Sequence, residues 1–274
     1  MIGLASREAL ATLRRRTEDL SGRAATSGGL IDLAGELYAI ADLLVGEPQL
    51  RRTLGDPASA PEARSELIGQ LLQGRVSSEA RDLTEAAVAL RWSSPWNLTD
   101  GLETIGDDAL LRAAEQEGRL DDVEDELFRF ERIVDGNPRL ATLLDEMSVP
   151  AARRTGLLRD VVAGRVHPIT QALLEHSVAS SRKRGIDLAI DNLLEAAAAR
   201  RARSLARVVT AVPLTQQQED RLATRLTELY GRQITVRIAI DPSVRGGLVI
   251  RIGDEVIDGS VASRLAAARA ALTT

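Results

Sequence analysis

The sequence predicts a mainly α protein with a small α+β domain, arranged as two tandem helical bundles followed by a βαβββα C-terminal domain. Three observations predict it. Apolar residues recur at three- and four-residue spacing from Leu4 to about Leu205, the period of a helix with one buried face. Within that stretch, proline, glycine and apolar positions repeat at one fixed distance. After Leu205 the period falls to two over short β-branched runs, as in strands with one covered face.

In the helical stretch the pattern is clear in Leu37, Ile40, Ala41 and Leu44, and again in Leu127, Phe130, Ile133 and Val134. Pro48, Pro61, Pro138, Pro150 and Pro168 stand where helices begin, because the first turn loses nothing by lacking an N–H. Gly46, Gly74, Gly136, Gly164 and Gly185 stand where helices end.

The punctuation repeats. Gly46 and Gly136 lie 90 positions apart, as do Gly74 and Gly164, Pro48 and Pro138, Leu50 and Leu140, and Leu54 and Leu144. Glu36-Leu37-Tyr38 recurs as Glu126-Leu127-Phe128. Pro61, Ala63 and Arg64 match Pro150, Ala152 and Arg153 after a one-residue slip that is then recovered. These matches read as duplication of a helical module. They give three expected domains: copy one at 1–103, copy two at 104–205, and an α+β domain at 206–274. The segment from Trp92 to Thr99 is the expected irregular joint between the copies.

In the last domain, Arg207 to Val212 reads as a strand ended by Pro213. Thr215 and Gln218 form a capping box for a helix carrying Leu222, Leu226 and Leu229, and Gly231 closes it. Ile234, Val236, Ile238 and Ile240 alternate, as do Leu248, Ile250 and Ile252. Gly253-Asp254 offers a hairpin turn into Glu255–Asp258, and Ser260 can cap a last helix with Val261, Leu265 and Leu272 on one face.

Composition excludes whole classes of chemistry. With no cysteine, disulfides, thiolate metal sites and cysteine nucleophiles are absent. Thirty-five basic against 40 acidic residues give a net charge of −5, the wrong sign for a dedicated nucleic-acid binder. Aromatics at 2% cannot line stacking platforms. No apolar run approaches a membrane span, and the N-terminus has no signal-peptide core. The expectation is a soluble, cytosolic protein that is not an enzyme and holds no cofactor or metal.

The individual candidates have plain structural readings. Gly246-Gly247 leads into a strand, so it is a turn and not a phosphate loop. His167 and His176, nine positions apart, read as surface or structural residues. Asp121 to Glu126 reads as a solvated helix start. Arg14-Arg15-Arg16 and Arg200-Arg201 with Arg203 read as solvated or partner-facing clusters.

From Gly247 to Leu265 the sequence closely resembles the signature of the ATP synthase delta subunit, whose mitochondrial form confers oligomycin sensitivity. The signature residues here are Gly246, Gly247, Gly253, Asp258, Gly259, Ser260 and Arg264. Copy two is similar to the family's N-terminal six-helix bundle, including Gly136-Asn137-Pro138 and Arg184-Gly185. Copy one is the departure, a duplication of the kind found in actinobacterial-type relatives.

The resemblance implies a non-catalytic stator subunit of a proton-driven F-type ATP synthase. Its helical part would bind N-terminal helices of alpha subunits, and its C-terminal domain would grip the b stalk. It would stand as one copy per complex, monomeric alone, peripheral on the cytoplasmic face of the plasma membrane. In the family the alpha groove lies between the first and fifth helices, which map near Leu110, Ala113, Ala114, Leu173, Leu174 and Val178. Copy two is expected to keep that groove, and copy one to make a second contact with the stalk or another alpha subunit. The readings set against this are a free-standing helical adaptor and a nucleic-acid-binding regulator using the arginine clusters.

Overall fold

The computed structural model describes residues 3–21, 26–180, 185–203, 205–230, 234–241, 244, 246–252 and 255–261. The chain forms two compact units, Met1–Ala196 and Ala197–Thr274, where the sequence reading has three domains.

The first unit is helical. Its elements are α1 (Leu4–Ser21), α2 (Ser27–Gly46), α3 (Pro48–Leu54), α4 (Pro61–Leu72), α5 (Ser78–Ala89), α6 (Pro95–Gln116), α7 (Leu120–Asp135), α8 (Pro138–Asp145), α9 (Ala151–Val162) and α10 (Pro168–Ala179). The start of α11 (Ile186–Arg203) also belongs to it, and the unit boundary falls within that helix. Pro48, Pro61, Pro138 and Pro168 each open a helix, whereas Pro150 stands one residue before α9. Gly74 and Gly164 both take φ +69, a left-handed conformation that favours glycine.

The duplication is visible in three dimensions, with the helices of the second copy 90 positions after those of the first. By that offset α2 to α5 correspond to α7 to α10, α1 to α6, and α6 to α11. One helix therefore closes the first copy and opens the second. The expected boundary at 103/104 falls inside this continuous 22-residue helix. The expected joint is correspondingly short, because Ser94 caps α6 by accepting from the Asn97 N–H, and Pro95 starts it.

The expected one-residue slip is absent. Arg64 and Arg154 occupy equivalent places, 4% and 3% exposed. Arg64 donates through Nη1 to the Leu54 carbonyl at 3.2 Å and through Nη2 to that of Ala89 at 3.4 Å. Arg154 donates to the carbonyls of Leu144 at 3.1 Å and Val178 at 2.5 Å. Each guanidinium thus reaches carbonyls at or near the ends of two helices, which otherwise lack intrahelical donors. Arg153, the residue matched from sequence, is exposed.

A second pair repeats with the same spacing. The Glu36 carboxylate accepts from the Ser77 backbone N–H at 2.9 Å and from the Ser77 hydroxyl at 2.5 Å. Glu126 accepts from the His167 backbone N–H at 2.8 Å and from the Thr170 hydroxyl at 2.6 Å. Each fixes a carboxylate at the positive end of the helix that follows, α5 or α10. Glu126 is therefore not part of a solvated helix start, although Asp121 and Asp122 do lie in the first turn of α7.

The second unit contains a four-stranded sheet ordered β2-β1-β3-β4, from β1 (Leu205–Thr210), β2 (Thr235–Ile240), β3 (Leu248–Ile252) and β4 (Glu255–Asp258). β1 and β2 run parallel and are joined through α12 (Gln216–Tyr230), while β3 is antiparallel to both β1 and β4. The expected capping box opens α12: the Gln218 N–H donates to the Thr215 hydroxyl, and the Thr215 N–H to the Gln218 side chain. Ala206, Val208, Leu226, Ile234, Ile250 and Ile252 form the core, with Leu222, Val236, Ile238 and Leu248 packed against it. Leu229 is 70% exposed, and Tyr230 packs against the core instead. The expected last helix lies outside the described residues beyond Val261, as does the Gly253-Asp254 turn.

Gly246 and Gly247 take φ +104 and +84. A Cβ on Gly247 would stand 2.4 Å from the Gly259 carbonyl oxygen, because the entry to β3 abuts the exit of β4. The Gly259 N–H donates to the Leu248 carbonyl, and the Val261 N–H to that of Gly246.

Two stability measurements follow. Arg154→Met should leave carbonyls of two helices without donors and lower the unfolding free energy by about 2–4 kcal/mol in urea titration. An unchanged midpoint would show that the guanidinium contributes nothing. Gly247→Ala should cost about 2 kcal/mol or more, from positive φ and backbone collision together, and should lower the thermal midpoint.

Candidate functional site

The six residues assigned to the alpha groove do not line an open surface. Leu110 is 1% exposed, and Ala113, Ala114, Leu173, Leu174 and Val178 are each 0% exposed. The physical reason is the double role of α6, which packs on α1, α2, α3 and α5 of the first copy and on α7 and α10 of the second. A first helix that would have a free face in a single bundle is here covered by its own chain.

An opening remains beside them. A cleft of about 420 Å³ lies between α2, α9 and α10, with Leu110 of α6 among its walls. Ile31, Ala34 and Gly35 line one side, and Ala172 and Ala179 another. A Cβ on Gly35 would meet nothing within 4 Å, so this helix position is open to the cleft. The Arg159 guanidinium pairs in bidentate fashion with Glu175, Nε to Oε1 at 2.8 Å and Nη2 to Oε2 at 2.6 Å. These hydrogen bonds hold the Glu175 carboxyl below its ordinary range.

At the end of the cleft a polar seam joins the copies. The Tyr38 ring of α2 stacks on His176 of α10, centroids 3.5 Å apart and planes 7° from parallel. The Tyr38 hydroxyl donates to Asp107 of α6 at 2.6 Å. Glu103, one turn earlier, lies 4.0 Å from His176 Nε2. Gly106 makes room, since a Cβ there would stand 2.5 Å from the Tyr38 ring. Burial, followed by the Asp107 charge, pushes the Tyr38 hydroxyl well above its usual range. Burial also pushes the Asp107 carboxyl up to about 7; Asp108 adds to the rise, and the Tyr38 hydrogen bond opposes it.

The sequence reading singled out His176 only as a structural histidine and did not identify Tyr38 or Asp107. The one available signal was an aspartate pair, Asp107-Asp108, inside an otherwise apolar helix. Asp108 is paired with Arg14 at 2.7 Å, and Arg112 of the same helix with Glu18 at 2.5 Å. The first arginine cluster is therefore partly consumed in holding α1 to α6, and Arg200 of the second is 4% exposed. His167 serves as the N-cap of α10, its Nδ1 accepting from the Ile169 N–H.

Of the signature residues, Gly246, Gly247 and Gly259 permit the close approach at the ends of β3 and β4. Asp258 accepts from the Ser260 N–H at 2.9 Å, and Ser260 is 7% exposed. Gly253 and Arg264 lie outside the described residues. Among the described residues, no group of three or more His, Asp and Glu could hold a metal ion, and no helix is long and apolar enough to cross a membrane.

The seam predicts a pH dependence. Asp107 has a folded-state value near 7 against an ordinary 3.8, so between those values the folded chain holds a proton that the unfolded chain releases. Stability from this group is full below pH 3.8 and is lost as pH rises through about 7. Asp107→Asn should remove that component, and the two unfolding curves should diverge between pH 3.8 and about 7. Parallel curves would mean that Asp107 titrates as an ordinary surface carboxylate.

The profile of the ATP synthase delta (OSCP) subunit matches residues 108–272, beginning inside α6. The ATP synthase subunit delta of Streptomyces avermitilis is 44% identical over 265 residues, covering 97% of this chain and 96% of that protein. That of Streptomyces griseus is 42% identical over 261 residues, covering 95% and 96%. That of a Parafrankia species is 42% identical over 275 residues, covering 98% and 99%. These alignments span both copies of the helical module as well as the strand-containing unit. The chain belongs to the ATP synthase delta (OSCP) subunit family.

Proposed function

We propose that the protein is a peripheral-stalk subunit of an F-type ATP synthase. It holds the catalytic head still against the membrane sector while the rotor turns, and takes no catalytic step itself. The observation that carries this reading is similarity along 97% of the chain to a protein named ATP synthase subunit delta. The duplicated module lies within the similar region, so it belongs to the working design.

In this reading the helical unit receives N-terminal helices of alpha subunits, and the strand-containing unit receives the b stalk. The complex sits on the cytoplasmic face of the plasma membrane, with one copy of the chain per assembly. The two copies act as bundles that share α6. Because Leu110, Ala113, Ala114, Leu173, Leu174 and Val178 are buried, an alpha helix reaches copy two through the cleft between α2 and α10. A cleft of about 420 Å³ takes the side chains on one face of a helix and not the whole helix. Copy one then makes a second contact with the stalk or another alpha subunit.

Gly35→Trp tests the site without disturbing the core, since Gly35 is exposed and an added Cβ meets nothing. The full-length variant should keep its fold and its binding to the soluble part of the b subunit. It should lose about tenfold or more in calorimetric affinity for a peptide from the alpha N-terminus. Unchanged alpha affinity would move the docking site away from this cleft.

A further inference from the structure

The cleft between α2 and α10 and the polar seam at its end share two side chains. Tyr38 and His176 both line the cleft, their rings stacked with centroids 3.5 Å apart. The Tyr38 hydroxyl donates to Asp107 of α6 at 2.6 Å. One residue thus belongs to the cleft wall and to the seam, and Asp107 stands one hydrogen bond behind that wall.

The ionisable groups around the seam come from α1, α2, α6, α9 and α10. Asp108 of α6 takes Arg14 of α1 at 2.7 Å, and Glu175 of α10 takes Arg159 of α9 at 2.6 Å. Glu103, one turn before Asp107, lies 4.0 Å from His176 Nε2. Among the described residues, Asp107 itself has the Tyr38 hydroxyl and no arginine. Its charge therefore stands beside two rings and next to the carboxylate of Asp108. Burial holds its carboxyl up at about 7, within the range where a small change of surroundings changes its charge.

We infer that docking at this cleft is proton-linked: the apolar face of a helix seats with Asp107 protonated and binds more weakly as Asp107 ionises. The inference rests on the stator reading above, in which the docked helix is the alpha N-terminus. In an open cleft, solvent reaches the rings of Tyr38 and His176 and screens the charge behind them. A helix laid there replaces that solvent with apolar side chains, and the same charge then costs more. Protonation removes the charge, and a neutral carboxyl still shares a hydrogen bond with the Tyr38 hydroxyl. By linkage, docking raises the pH at which Asp107 releases its proton, so binding near neutral pH takes a proton up. The stator contact is thereby weakened by an alkaline shift and strengthened by an acid one.

The test titrates the full chain calorimetrically with a peptide from the alpha N-terminus, from about pH 6 to about pH 8.5, in two buffers of different ionisation enthalpy. The parent should bind about tenfold more tightly at the acid end and take up protons near neutral pH. Asp107→Asn should flatten the affinity and abolish that part of the uptake. The peptide's own groups titrate alike against both proteins, so the difference between the two profiles isolates this carboxyl. Tyr38→Phe keeps the stack but removes the hydrogen bond that favours the ionised form, so the fall in affinity should move to higher pH. A merely structural role for Tyr38 would weaken binding equally at every pH. Circular dichroism at each pH separates lost docking from lost folding. If the parent binds equally at every pH, the docking site stands and this inference fails. If it binds the peptide at no pH, the alpha-docking part of the stator reading fails and this inference with it. A pH dependence that survives Asp107→Asn and disappears in His176→Asn would assign the proton to the histidine and overturn the proposal.

Discussion

The constraint on which the helical unit depends is that one helix is packed by its own chain on all sides. α6 buries residues around its whole circumference, including Leu98, Leu102, Ile105, Ala109, Leu110, Ala113 and Ala114. Its polar residues must therefore find partners inside the protein, since a buried group without one costs several kcal/mol. Asp108 and Arg112 find them on α1, and Asp107 on α2. Its glycines admit rings that a side chain would exclude, Trp92 at Gly101 and Tyr38 at Gly106. Two bundles that share such a helix cannot hinge at a linker, a useful property in a part that must transmit force.

Around that axis the duplicated modules keep their anchors and vary their edges. The buried guanidiniums of Arg64 and Arg154 and the carboxylates of Glu36 and Glu126 do the same work in both copies. Each ties backbone groups of separate helices that side-chain packing alone would leave unpaired. The copies part company at the next junction. Asp145 accepts from the Ile186 N–H to start α11, whereas its counterpart Gly55 lets Pro95 come so close that a Cβ would stand 2.7 Å from its Cα. Copy one adds Arg51, which donates to the Leu44 carbonyl and lies 3.6 Å over the Trp96 ring. The first copy is thus closed onto the shared helix by contacts that the second does not use.

Much of this was legible in the residues because it depends on local rules. Prolines at N1, the Thr215–Gln218 capping box and the alternation in the strands each follow from backbone geometry within a few positions. The offset of 90 was legible because punctuation residues are rare enough to align by eye. The slip at Pro61 and Pro150 misled for the same reason: proline fits both the last position before a helix and the first inside it, so matching prolines shifted the register by one. Only the buried arginines restore it. The boundary expected at 103/104 falls inside α6 because nothing local marks a helix that packs against elements on both sides of it in the chain.

The sequence by itself determined the helix and strand inventory, the duplication, the absence of cysteine chemistry and the signature that places the chain in its family. These depend on neighbours in the chain or on a pattern repeated along it. The tertiary structure alone decided which apolar faces are covered. Leu110, Ala113 and Leu173 are the right kind of residue for a groove, but exposure is a property of what packs against them, and α2 lies over α6. It also decided that Tyr38, Asp107 and His176 meet at one seam. Those residues lie on different elements, and no spacing along the chain encodes the packing that brings them together.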